Sequence, residues 1–479
     1  MNALFRWRWL LAGLLWLSLQ PAAHASHVIG GDIAYASVAS TTAGVPRYRV
    51  TMRLFRDIIG VDQPTVQLTG TQGSCNSVDP QNFTIQVRKS QSTRLAQVGC
   101  PTGPYGGISY YDVFLYAADV DLPRGQWTLS FTADYRSDGI RNIPNSLTTT
   151  FLVSSYLNTT LAAENTSPTF LSALLPTLQG NLAQAYSFST YDRDRDSVAY
   201  SMVESQTALN PLVPCSTPIA GAISPHFQLN PATGALSAPA GAVQQGRYAL
   251  AVRVSEYRQL AGAWQLIGTV TRDIVYLAQN IANQPPSFTS LAVGTGVTQL
   301  PNQTITVRPG QTVNLTLTAT DPDTDQQLRF SSEATNIIPG LSLATLNATQ
   351  ARLTWQVPAN LPVGFYTATI AAFDNGCPNS SVEQTLYFRV TNQVLANRPI
   401  TNAETDAFPM PFHDRVQFEA SSSNQLLLIT DALGRTVAQL RAGGDGRVVW
   451  QPASTLPAGL YVARSAEGKL LARLLRAAE

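Results

Sequence analysis

Histidine, cysteine and methionine each occur only four times in 479 residues, and charged residues make up just 13%. These scarcities exclude more than they suggest. Only His27, His226 and His413 follow the N-terminal leader. A serine-type hydrolase needs a histidine base oriented by an acid, and His226, between Pro225 and Phe227, reads instead as a loop residue. The cysteines (Cys75, Cys100, Cys215 and Cys377) show no Cys-x-x-Cys spacing, so a structural zinc site has no support. A formal net charge of +1 without any basic cluster gives no electrostatic footprint for nucleic acid. No glycine-rich phosphate loop precedes a helix, and no stretch after residue 25 has an amphipathic helical period. None is apolar enough to span a bilayer as a helix.

The first 25 residues carry an address. Arg6 and Arg8 precede the apolar run Leu10 to Leu19, and Ala23-His-Ala25 supplies small residues for cleavage. The expectation is a signal peptide over 1–25 and an oxidising destination. There Cys75 and Cys100 would close a loop of about 25 residues, worth roughly 3.5 kcal/mol on a chain-entropy argument. Cys215 and Cys377 would either pair across domains or remain free thiols.

What is abundant is alternation. Tyr248, Leu250, Val252 and Val254 share one face, as do Tyr366, Ala368, Ile370 and Ala372, then Val313, Leu315, Leu317 and Ala319, and also Tyr186 and Phe188. A period of two marks strands with one buried face. Two stretches follow the same plan. One begins at Asn165-Thr-Ser-Pro-Thr-Phe170, passes Asp192-Arg-Asp-Arg-Asp196 and closes with Gly246-Arg-Tyr248 running to Glu256. The other begins at Asn283-Gln-Pro-Pro-Ser-Phe288, passes Asp321-Pro-Asp-Thr-Asp325 and closes with Gly364-Phe-Tyr366 running to Asp374. A period of about 120 residues fits tandem whole domains, since solenoid repeats run to about 20–50. The predicted fold is all-β, a series of antiparallel β-sandwiches. The expected domains are 26–164, 165–282 and 283–394, a linker at 395–404 and a small sandwich at 405–479.

The aspartate clusters lie on loops between strands. Hard cations such as Ca²⁺ take six to eight oxygens, and a curled loop with three carboxylates supplies several. Asp321, Asp323 and Asp325, with Asp374 from a strand end, form one candidate set. Asp192, Asp194 and Asp196, with Glu256, form the other. Arg193 and Arg195 interleave the first loop and offer its carboxylates internal ion pairs, whereas Pro322 and Thr324 leave the second without local partners. The plain alternative for each is an acidic turn, where aspartate favours the loop conformation. The spacing resembles cadherin-like repeats, which implies calcium between domains that stiffens the array.

The tail carries a further resemblance. Pro409-Met-Pro411-Phe412, then Gly434-Arg435, then Pro457-Ala-Gly459-Leu-Tyr461, then Lys469 arrive in the order seen in C-terminal sorting domains of the type IX secretion system of Bacteroidetes, with Met410 where Asn is usual. The resemblance implies export by that machinery, removal of the tail, and display on the outer surface or release. Ser26 to Tyr35 and Tyr48 to Asp57 resemble the opening of large Bacteroidetes surface proteins associated with gliding motility.

Together these readings lead to an expectation of a secreted or surface-anchored, non-enzymatic protein with an adhesive or envelope-structural role. Its partners would be the secretion machinery and a surface glycan or protein. One rival is a carbohydrate-binding protein, with Tyr110, Tyr111, Trp127, Trp264 and Trp355 as candidate stacking residues. Another is a hydrolase whose acids converge in the N-terminal domain.

Overall fold

The computed structural model describes residues 28–58, 60–73, 81–96, 110–133, 135–210, 213–280, 282–296, 298–376, 379–392, 407–420, 422–431, 434–466 and 470–477. The expected leader (1–25), the linker (395–404), Cys75, Cys100, Cys377 and Lys469 lie outside them. The chain divides into two compact units, 1–393 and 394–479. Both are built from tandem antiparallel β-sandwich elements, as the alternation predicts. The α-helix among the described residues is the single turn Ala334–Ile337.

In the larger unit, strand Val28–Val38 pairs with Arg47–Asp57 on one side and with Ala263–Gln279 on the other. From Arg47–Asp57 the sheet continues through Tyr110–Asp121, Phe83–Ala96, Thr65–Gln72 and Gln126–Ala133 to Phe151–Asn158. That last strand also pairs with Ala263–Gln279, so the layers join along both edges. Tyr48, Val50, Met52 and Leu54 point inward in strict alternation and meet Trp127, Phe131 and Phe151 in one core. One hydrogen-bonded sheet therefore runs across position 164/165.

Strands Gly246–Leu260 and Ala263–Gln279 form a long hairpin with fifteen paired positions. Its Tyr248, Leu250, Val252 and Val254 are buried with Phe170, Tyr186, Phe188, Phe227 and Leu236 in a second core. The third core lies between the five-stranded sheet containing Thr312–Thr320 and the four-stranded sheet containing Gly364–Phe373 and Ser381–Val390. Trp355, packed edge-on to Phe388 at 4.8 Å, lies in this core.

The second and third cores meet along a buried, polar seam. Tyr186 donates to the Ser381 carbonyl at 2.8 Å, and the Ser187 amide donates to Glu383 at 2.9 Å. The hydroxyls of Ser187, Ser189, Thr369 and Thr385 interlink at 2.6–3.1 Å. Glu383 is fully buried here, and burial pushes its carboxyl up to about 7.

In the smaller unit, Val416–Glu419 pairs with Arg447–Trp450, and Thr436–Arg441, Leu426–Asp431, Gly459–Ser465 and Leu470–Arg476 form a four-stranded sheet. Each described element of the tail pattern has a structural task. Phe412, which follows Pro409 and Pro411, is fully buried against Trp450. Gly434, at φ 80°, completes the turn in which Arg435 pairs with Asp431. Gly459 opens the strand that carries Tyr461 into the core, and the Tyr461 hydroxyl donates to the Pro457 carbonyl at 2.6 Å. No helix among the described residues is long and apolar enough to cross a membrane.

Candidate cation site

Four segments converge where the first aspartate loop meets the long hairpin. Asp192 opens the loop, and its Oδ1 accepts the amides of Arg195 at 2.5 Å and Asp196 at 3.3 Å. This is the self-bonded turn that aspartate favours, and Arg195 adopts φ 71° to complete it. The turn leaves Asp192 Oδ2 buried and without a partner. Glu256, on strand Gly246–Leu260, is fully buried. Its Oε2 accepts from Asn165 at 2.8 Å, while its Oε1 has no partner. Carboxylate oxygens of Asp192, Asp196 and Glu256 all lie within 4.8 Å of one another.

Glycine makes the room. A Cβ added to Gly268 would lie 2.6 Å from Glu256 Oε2 and 2.3 Å from the Tyr35 hydroxyl. Asp196 is held apart from its neighbours by a fork of hydrogen bonds from Arg258, at 2.7 and 2.5 Å. The same guanidinium donates to Asn165 Oδ1 at 2.7 Å. Thus Arg258 pairs with the cluster, not Arg193 or Arg195, which are exposed. Asp194 turns aside, its Oδ2 accepting the Thr166 amide at 2.5 Å.

The electrostatics are unresolved by protein groups alone. Burial, with Asp196 adding to it, pushes Asp192 up to about 6. Burial and the facing Asp192 carboxylate raise Glu256 well above the usual carboxylate range. Two facing acid oxygens without a donor need either a retained proton or a cation between them. With all three acids ionised, Asp192, Asp196 and Glu256 less the Arg258 charge leave −2, the complement of a divalent ion; a proton shared by Asp192 and Glu256 leaves −1. An all-oxygen donor set suits a hard cation.

The second cluster is arranged differently. Asp321 Oδ1 accepts the Asp323 amide, and Asp323 Oδ2 accepts the Gln284 amide, both at 2.8 Å. Asp374 is fully buried and accepts from Ser380 N at 2.9 Å, Gly376 N at 3.0 Å and Asn283 at 3.0 Å. Gln326 bonds Asn283 and Asp323 between them. Asp321 Oδ2 remains unpartnered, and burial raises Asp321 and takes Asp374 up to about 6. Asp325 is exposed on the loop. Among the described residues, only Asp192, Asp196 and Glu256 bring three ligand oxygens together.

Sequence reasoning missed Arg258, which stands two residues beyond Glu256, and the clamp role of Asn165. The repeat itself held that signal, since Asn165 and Asn283 open both copies and each bonds its closing acid.

Other candidates fall elsewhere. Tyr111, Trp127 and Trp355 are buried, whereas Trp264 is 61% exposed. His226 bonds the Tyr276 hydroxyl at 2.7 Å and packs edge-on to Tyr248, and burial lowers its pKa. A cleft of about 170 Å³ between Asp32, Thr51, Arg53 and Thr166 contains one acid, Asp32, which is paired with Arg272 at 2.8 Å. Cys215 is disulfide-bonded, so the free-thiol alternative does not hold for it.

No family model and no curated protein matches the chain. Among solved structures it is similar to human protocadherin-24 EC1-2 at 16% identity, covering 48% of this chain and 99% of that one, with a TM-score of 0.16. It is also similar to the human desmocollin-1 ectodomain (11% identity, 76% and 73% covered, TM-score 0.18). A third is Bacteroides ovatus SGBP-B from a mixed-linkage glucan utilization locus, solved with a mixed-linkage heptasaccharide (12% identity, 66% and 71% covered, TM-score 0.14). Scores this low carry no argument about function.

Proposed function

We propose that this chain is an extracellular, non-enzymatic surface protein with an adhesive or envelope-structural role, and that Ca²⁺ locks its first repeat to the N-terminal strands. The observation that carries the reading is the pair of buried, unpartnered oxygens, Asp192 Oδ2 and Glu256 Oε1, beside Asp196. Asp192, Asp196 and Glu256 would hold the ion, and its charge would replace the missing donors. Asn165 and Arg258 would position the ligands from behind. In this reading the tail 405–479 directs export by the type IX route, with gliding motility as one setting for the mature surface protein. The sequence pattern around Pro409, Gly434 and Tyr461 supports that route.

The test is thermal unfolding of the mature chain in CaCl₂ and in EDTA. A calcium-dependent rise in Tm that Glu256→Gln abolishes supports the reading. An equal Tm in both buffers refutes it. The carbohydrate-binding reading has one observation of its own, the exposed hairpin tip that bears Trp264.

A further inference from the structure

The long hairpin outruns the sheet that supports it. Strand Ser197–Val203 pairs with it only as far as Tyr257, and Phe151–Asn158 reaches only Gly268 to Val270. Beyond those limits the two arms pair only with each other: Arg258 with Gln265, Gln259 with Trp264, Leu260 with Ala263. Ala261 and Gly262, at φ 49° and 83°, close the tip with the two left-handed residues that a tight hairpin turn requires. A lone two-stranded ribbon is marginal in water, so this one depends on its base. Glu256 and Arg258 at that base belong to the cation site.

Residues directly opposite in an antiparallel pair share a face, and the next pair but one shares it too. Tyr257 with Leu266, and Gln259 with Trp264, therefore present one surface. Trp264 is 61% exposed and Leu266 39%. This face contains no charged group, because Arg258 lies on the opposite face with its guanidinium on Asp196. A neutral face complements a neutral ligand. Its four side chains fall well short of the roughly 800 Å² per partner that a stable protein interface needs. They match the span of one or two sugar rings, whose C–H faces stack on aromatic rings while their hydroxyls bond amides.

We propose that the Tyr257–Leu266 hairpin face is a stacking platform for a neutral polysaccharide, with Trp264 beneath a pyranose ring and Gln259 bonding its hydroxyls. The proposal gives the adhesive reading a ligand class and rests on that reading. Native electrophoresis of the mature chain in CaCl₂ tests it, through gels containing hydroxyethyl cellulose or glucomannan. The wild-type chain should be retarded by at least one of them. Trp264→Ala should weaken that retardation about tenfold or more, Trp264→Phe should keep part of it, and Tm should stay within about 1 °C in both. Absence of wild-type retardation in both gels, or equal retardation of Trp264→Ala, overturns the platform. So does a Trp264→Ala chain that loses capture of a surface protein while its polysaccharide retardation persists. A wild-type chain that shows the calcium-dependent Tm rise but no retardation brings down the platform alone and leaves the cation reading standing.

Discussion

The two aspartate loops begin from nearly the same letters and end in different chemistry. In the first, Asp192 spends one oxygen on its own turn and turns the other toward the buried carboxyl of Glu256. In the second, the closing acid Asp374 is covered by two backbone amides and Asn283, and Gln326 fills the space between. Among the described residues, only the first brings oxygens of three carboxylates within 4.8 Å of one another. The lesson is that the donors missing around a carboxylate, more than the number of aspartates in a loop, mark a candidate cation site.

The largest expected effect breaks the comparison directly. Saturating Ca²⁺, at about a hundred times its dissociation constant, adds roughly 2.7 kcal/mol and should raise Tm by about 3–4 °C for a unit of this size. Glu256→Gln should erase that rise, and Asp374→Asn should leave most of it. Calorimetry on the two variants checks both, and equal losses would mean the repeats do not differ.

Removal of Arg258 sharpens the same contrast. Arg258→Met leaves Asp196, with its side chain only 5% exposed, without its counter-charge. The expected cost is about 2–3 kcal/mol in EDTA, since breaking a largely buried pair strands a charge. Calcium should recover part of that loss, because the ion supplies positive charge at the same place. Urea unfolding with and without the ion measures it.

The seam offers a pH test outside either loop. Glu383 sits near 7 in the folded chain, against about 4.5 when exposed. The folded state therefore binds more protons at Glu383 between these values, so this contribution to stability is fully present below pH 4.5 and is lost as pH rises through 7. The expected total loss is about 3 kcal/mol. Glu383→Gln should flatten that part of the stability-versus-pH curve. The smallest effect is Asp325→Asn, expected within about 0.5 kcal/mol, with the calcium response unchanged.

Much of this fold was legible because alternation is local. Tyr248 through Val254, Val313 through Ala319 and Tyr366 through Ala372 declare their buried faces in successive letters. Pairing between distant strands is not local, and nothing in Val28–Val38 announces Ala263–Gln279 as its neighbour. The site was legible to the same depth. Glu256 was found as the closing acid of the repeat, but the burial that makes it unusual depends on Gly268 across the hairpin. The interleaved arginines suggested self-neutralisation, yet the loop turns both outward and leaves Asp196 to Arg258 on another strand.

The pairing of the N-terminal strand also orders events in time. Gly30 finds its neighbour at Ile274, and Asp32 at Arg272. A chain emerging from its N-terminus must release about 240 further residues before this edge can close, and contacts so far apart in sequence are slow to form. Until then its first strand keeps an unsatisfied row of amides and carbonyls. Commitment of this edge to the final structure waits for the long hairpin to arrive.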